Sequence, residues 1–349
     1  ALEEDTAKVA GGAHPMPLTL RVNSGDCVKV HLKNKMKDSK ASFSAIGLAF
    51  DPKDSMGANV GNNPGDQTVA PGAEREYTYY ADPFNGETTS LVWDWGNVMT
   101  NPRNGLFGAV VVGPKGSKYR DPKTGADLSN KNAWAADVII DRSVPGNEMR
   151  ANYRDVALFF QDEDNIIGTS FMPYVQNVAG LTGVNYRSEP YKFREEQGCS
   201  LGKVFQPCKA DKPEDPATPL IEVHAGDPVR IHVLGVSNEQ NGMFSVEKHE
   251  WPIEPFMRGA DQISVVEFSA SETLDAFIPA AGGSFRLPGD YVWSNQRLPY
   301  AQSGQWGLMK VLPHDDQRIL PLSQQAPSIK RAEVESGTPT VSRMSNPLR

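Results

Sequence analysis

Two stretches of this chain repeat each other at an offset of 201 residues, and that repeat limits the fold more than any other feature. Val22-Asn-Ser-Gly-Asp-Cys-Val-Lys-Val-His-Leu32 returns as Val223-His-Ala-Gly-Asp-Pro-Val-Arg-Ile-His-Val233. Val92-Trp93, followed by Gly105-Leu-Phe-Gly-Ala-Val-Val-Val112, returns as Val292-Trp293, followed by Gly304-Gln-Trp-Gly-Leu-Met-Lys-Val311. Three landmarks in one order and at nearly one spacing mean two copies of one module, and the period is far too long for a solenoid. A length of 349 residues agrees with two domains.

Each module reads as β-sheet. After Gly25-Asp26, Val28, Val30 and Leu32 alternate with Lys29 and His31; after Gly226-Asp227, Val229, Ile231 and Val233 alternate with Arg230 and His232. Alternation of period two behind a Gly-Asp hairpin turn predicts a half-buried strand, and it turns His31 and His232 alike toward solvent. His224, just before the second turn, is expected to face solvent too. Further strand signals fall at Glu76–Tyr80, Leu106–Val112, Val138–Ile140, Val156–Phe160, Ile263–Phe268 and Gly307–Leu312, whereas the best short helical candidate is Ser271–Phe277. The expected architecture is all-β: two tandem Greek-key sandwiches, residues 1–148 and 149–313, divided at the Pro-Gly turn within Arg142–Met149. Beyond Pro313 the chain is polar without period, so 314–349 is expected to be an extended or disordered tail.

At 39% apolar, with 31 Gly and 27 Pro, the chain is globular and turn-rich. A net charge of −8 without any basic block argues against nucleic acid or an anionic membrane as partner. No apolar run reaches the roughly 18 to 20 residues of a membrane-spanning helix. The first residues, Ala1-Leu-Glu-Glu-Asp-Thr6, lack the charged and apolar regions of a signal peptide, which fits a leader already removed or a chain cut from something longer. Cys199 and Cys208 bracket an eight-residue loop where a short-loop disulfide is geometrically easy in an oxidising compartment. Cys27, at a strand start, is expected as a free buried thiol. Together these features favour a place outside the cytoplasm: periplasmic, cell-surface or secreted.

The order of these segments resembles the cupredoxin domains of multicopper oxidases. It runs from the Gly-Asp turn through Thr68-Val-Ala-Pro-Gly72 before Tyr77-Thr-Tyr-Tyr80, a Trp-containing strand, then Gly105-Leu-Phe-Gly108 before a valine strand. Four segments look similar to the large, many-domained bacterial multicopper oxidases that include manganese oxidisers. They are Asn59-Val-Gly-Asn-Asn-Pro-Gly-Asp-Gln-Thr68, Asn185-Tyr-Arg-Ser-Glu-Pro190, His249-Glu-Trp-Pro-Ile-Glu-Pro255 and Gly289-Asp-Tyr-Val-Trp293. The resemblance covers about residues 15 to 313 and implies two cupredoxin-like sandwiches. It also implies a sulfur-ligated copper and a three-copper cluster, the latter held by about eight imidazoles in His-x-His pairs.

The ligand positions depart from that pattern. The first-domain His-x-His falls on Trp95-Gly-Asn97, and the earlier pair falls around Ser42–Ala45, which holds no histidine. In the second domain the histidine series falls on Ser245, Glu247 and His249. The His-Cys-His falls on Ser294-Asn295-Gln296, and the later His and axial Met on Tyr300 and Gln305. With six histidines and no His-x-His or His-Cys-His anywhere, a complete oxygen-reducing copper centre cannot be built from this chain alone. The substituted positions are expected to converge without copper, hydrogen-bonding one another while tryptophans fill the remaining volume.

Other polar clusters have plainer readings. Glu247, His249 and Glu250, with Asp261, could form a mononuclear site, since alternation puts Glu247 and His249 on one face; a hydrogen-bonded remnant of the ligand strand is simpler. Asp162-Glu-Asp-Asn165 could hold a hard cation but reads more simply as a solvated turn. Trp93, Trp95 and Trp293 are expected in the core. Three functional readings follow. The first is a non-catalytic cupredoxin pair, binding no cofactor by itself, that acts as scaffold or docking part of a larger extracytoplasmic assembly. Its partners would be other cupredoxin domains or subunits. The second is a copper- or manganese-binding oxidoreductase with a reduced site near His249, and the third is a structural extracellular protein.

Overall fold

The first half places β1 (Leu18–Asn23), β2 (Cys27–Lys33), β3 (Ser44–Ala45), β4 (Ala49–Phe50), β5 (Glu74–Tyr80), β6 (Thr89–Trp93) and β7 (Phe107–Gly113) in two sheets. The computed structural model describes residues 15–164, 180–208, 215–236, 240–255 and 257–322. One sheet runs β1-β7-β6-β3 and the other β2-β5-β4. Phe43, Tyr77, Tyr79, Val92 and Val110 pack between them. The two tyrosines stand two residues apart on β5, the spacing that puts both on one face.

The second half contains β8 (Lys118–Arg120), β9 (Ala135–Ile139), β10 (Tyr153–Asp164), β11 (Gly180–Val184), β12 (Ile221–His224), β13 (Val229–Gly235) and β14 (Gly242–Val246). It continues with β15 (Trp251–Pro252), β16 (Gln262–Ile263), β17 (Val265–Phe268), β18 (Thr273–Ile278), β19 (Gly289–Asn295) and β20 (Trp306–Leu312). One sheet runs β18-β13-β10-β9-β8 with β11 against β10; its mate runs β12-β20-β19-β14-β17. Among the described residues, the α-helices are two short ones, α1 (Tyr191–Glu196) and α2 (Leu298–Gln302), set among β-strands. The helix expected at Ser271–Phe277 is β18, because pairing along β13 satisfies its backbone and a lone helical turn is costly to nucleate. The Arg142–Met149 turn, expected as the divide between 1–148 and 149–313, instead joins β9 to β10, which pair with each other. Sheet membership therefore changes earlier, between Gly113 and Lys118.

The two repeat copies make one turn twice. Gly25 N donates to Ala81 O (2.8 Å) and Gly226 N to Ala281 O (2.8 Å); Ala81 N donates to Asp26 O (3.0 Å) and Ala281 N to Asp227 O (2.8 Å). Gly25 and Gly226 sit at φ of 94° and 84°, where a side chain would be strained. In both halves the turn is not a hairpin within one sheet. It carries the chain from one sheet of the sandwich to the other, β1 to β2 and β12 to β13.

Strands β10 and β13 are buried on both faces. Val156, Leu158 and Phe160 with Val229, Ile231 and Val233 fill the second sandwich. Their opposite faces supply Ala157, Phe159 and Leu234, which pack against Leu91, Phe107 and Ala109 of the first sandwich. The joint between the sandwiches thus has an apolar core of its own. The start of the expected tail is also anchored: Leu320 N donates to Pro122 O, 2.7 Å, Arg120 Nη2 donates to Pro321 O, 2.6 Å, and Ile319 and Leu322 are buried. Residues 323–349 lie outside the described residues.

Candidate functional site

Six of the positions where the family resemblance puts copper ligands meet at one end of the β12-β20-β19-β14-β17 sheet. Register puts Ser245 opposite Ser294, and the chain returns from α2 so that Asn295 N donates to Gln305 O, 2.9 Å. Asn295 Nδ2 donates to Gln305 Oε1, 2.8 Å, and Asn295 Oδ1 accepts from the backbone of Met243 (3.0 Å) and Arg297 (3.1 Å). Gln305 Nε2 donates to Gln161 O, 2.8 Å. Gln296 Nε2 donates to Ser245 Oγ and Ser294 Oγ. Tyr300 is buried beside them on α2, with the Arg297 guanidinium 5.2 Å from its ring centre. A buried amide left unpaired costs roughly 1–3 kcal/mol, so the pairing between Asn295 and Gln305 is what lets those two amides stay dry, whereas Gln296 is exposed. Neutral amides and hydroxyls that satisfy one another do not fit a copper that needs thiolate and imidazole.

Trp95 and Asn97 belong to a different network, centred on the buried Asp94. Trp95 N donates to Ser42 Oγ, 2.8 Å, while Gly96 N and Asn97 N donate to Asp94 Oδ1, 2.9 and 3.3 Å. Trp95 is exposed, contrary to its expected core role, because the chain leaves β6 at Trp93 and turns outward. Trp293 does lie in the core, against Phe160 at 6.2 Å.

His249 is buried with both ring nitrogens engaged by backbone: Nδ1–H donates to Glu247 O, 2.7 Å, and Nε2 accepts from Gly282 N, 2.9 Å. Burial pushes its pKa below the ordinary 6.5, against the pull of the Glu247 carbonyl. Glu247, Glu250 and Asp261 are exposed. Among the described residues no group of three or more His, Cys, Asp or Glu is placed to hold a metal. Asp162 is a buried residue of β10 rather than part of a solvated turn, and Asn165 lies outside the described residues. A cavity of about 930 Å³ beside β12, walled by Trp134, Arg187, Leu220 and Ile319, is lined by none of the positions where the resemblance puts copper ligands.

Three other expectations meet different outcomes. Cys199 and Cys208 are joined as a disulfide with Cα atoms 4.8 Å apart. Cys27 is free but exposed, since it starts β2 on the outward register. His31 faces solvent, but His232 and His224 are buried. His232 is enclosed between β13 and the first sandwich, and His224 Nε2 meets Asp316 O at 2.9 Å. The single-strand pattern could not show that another sheet covers that face. The only signal was Asp155, Arg230 and Asp275, charges placed on strands otherwise rich in apolar residues.

No protein-family model matches the chain, and no curated protein matches it. Solved structures do. The blue copper oxidase from Nitrosomonas europaea is similar with a TM-score of 0.54 at 15% identity, over 86% of this chain and 78% of that one. The multicopper oxidase mgLAC gives 0.53 at 16% identity, over 86% and 78%. The copper nitrite reductase from Nitrosomonas europaea gives 0.52 at 13% identity, over 87% and 86%. The likeness is one of fold: cupredoxin-like β-sandwiches.

Proposed function

We propose that the chain is a non-catalytic cupredoxin pair, a scaffold or docking part of a larger extracytoplasmic oxidase assembly whose copper is held by partner cupredoxin domains or subunits. Asn295 carries this reading. It stands where the family resemblance puts the copper-binding cysteine, and its buried amide is paired on both its nitrogen and its oxygen. A pocket whose polar groups satisfy each other keeps the sandwich stable without metal and keeps its outer surface free for contacts. The chain purified from copper- and manganese-supplemented medium is expected to be colourless, with well under one metal ion per molecule by elemental analysis and no turnover of phenols or Mn²⁺. It should co-purify with a copper-bearing cupredoxin protein when expressed in its native host. About one copper or manganese per chain, lost in Glu247→Gln or His249→Ala, would replace this reading with a mononuclear oxidoreductase. A metal-free protein that stays unpartnered in its host would favour a purely structural role.

A further inference from the structure

The joint between the sandwiches is polar along one side, and a histidine sits at its centre. The His232 side chain has no exposed surface; its Nε2 lies 2.7 Å from Asp155 Oδ2, and its Nδ1 meets Asp275 Oδ1. Thr89 Oγ1 lies 2.7 Å from Nδ1 and donates to Asp275 Oδ1 at 3.1 Å. Each carboxylate also holds an arginine: Arg21 reaches Asp155 Oδ1 at 2.7 Å, and Arg230 reaches Asp275 Oδ2 at 2.5 Å. Arg230 extends the chain of charges to Glu87 at 3.1 Å, which pairs with Arg150. Tyr153, fully buried on β10, and Tyr119, buried on β8, are further titratable neighbours of this cluster. Arg21, Glu87 and Thr89 come from the first sandwich, while Asp155, Arg230, His232 and Asp275 come from the second.

A carboxylate oxygen at each ring nitrogen requires two N–H donors, so the ring here is an imidazolium. Burial alone would drive the proton off; the charges of Asp155 and Asp275 outweigh it and hold the pKa above the ordinary 6.5. A neutral ring has one N–H, leaving one carboxylate against a nitrogen lone pair in a dry site. Thr89 can cap Nδ1 only by releasing Asp275. We propose that His232 is a proton-dependent latch between the two sandwiches, closed while the ring is charged and opened as pH rises through its titration. The latch does not depend on whether the chain serves as a scaffold.

The ring is read by ¹³C-histidine NMR on the full chain, and the joint by hydrogen exchange corrected for intrinsic pH dependence. His232 should titrate clearly above the ordinary histidine range. Across that titration, amides of β6, β13 and β18 should exchange at least tenfold faster while those of β19 and β20 do not. His232→Gln should show the faster exchange at every pH. Titration at or below the ordinary value overturns the latch, as does a ring that titrates while joint and core amides change together. Both wild-type measurements decide the matter even if the variant fails to fold.

Discussion

Strands β2 and β13 are copies of one sequence in two environments. β2 lies at the edge of its three-stranded sheet and alternates between half-buried and exposed; β13 lies between β10 and β18 and is buried at every position. Lys29 pairs with Glu76 in solvent at 3.0 Å, whereas the equivalent Arg230 is buried between Glu87 and Asp275. His31 stands 3.5 Å from Glu74 with 64% of its side chain exposed, whereas His232 is wholly enclosed. Alternation decided in both copies which residues point to their own core. It did not decide what would cover the other face.

The sharpest way to break this comparison is at the histidines. His232→Leu leaves Asp155 and Asp275 buried with less compensation and should cost about 3–5 kcal/mol, while His31→Leu should cost no more than about 0.5 kcal/mol. Equal losses in urea unfolding would refute the difference in environment. On the inward register the contrast should shrink: Ile231→Ala should cost about 2–5 kcal/mol, and Val30→Ala, on a half-covered strand, roughly half as much.

A smaller effect separates two buried histidines by pH. His249 has a lowered pKa, so the unfolded chain takes up a proton that the folded one refuses, and stability falls as pH drops below 6.5. His232 has a raised pKa, so its contribution is full below 6.5 and is lost as pH rises through the folded value. Thermal melts across pH should therefore lose their acid-side slope near 6.5 in His249→Gln and their alkaline-side slope in His232→Gln. Both slopes surviving in both variants would assign them to other groups. Smallest of all, Lys29→Ala should leave the urea midpoint unmoved, because its ion pair is exposed and screened by solvent.

The sequence by itself determined the duplicated sandwich and much of its inner register. The repeat, the Gly-Asp turns and the period-two runs depend only on backbone preference and on each strand burying one face. It also limited copper chemistry, since six scattered histidines with no His-x-His pair are facts of composition and position. Pairing decided what local pattern could not. β9 joined β10 across the Arg142–Met149 turn, β18 became a strand beside β13, and the Gly-Asp turns crossed between sheets. Only the docking of one sandwich on the other made His232 a buried imidazolium while its twin His31 stayed wet. The desolvation and charge that set a group's ionisation come from residues distant in sequence, here Thr89, Asp155 and Asp275 around one ring.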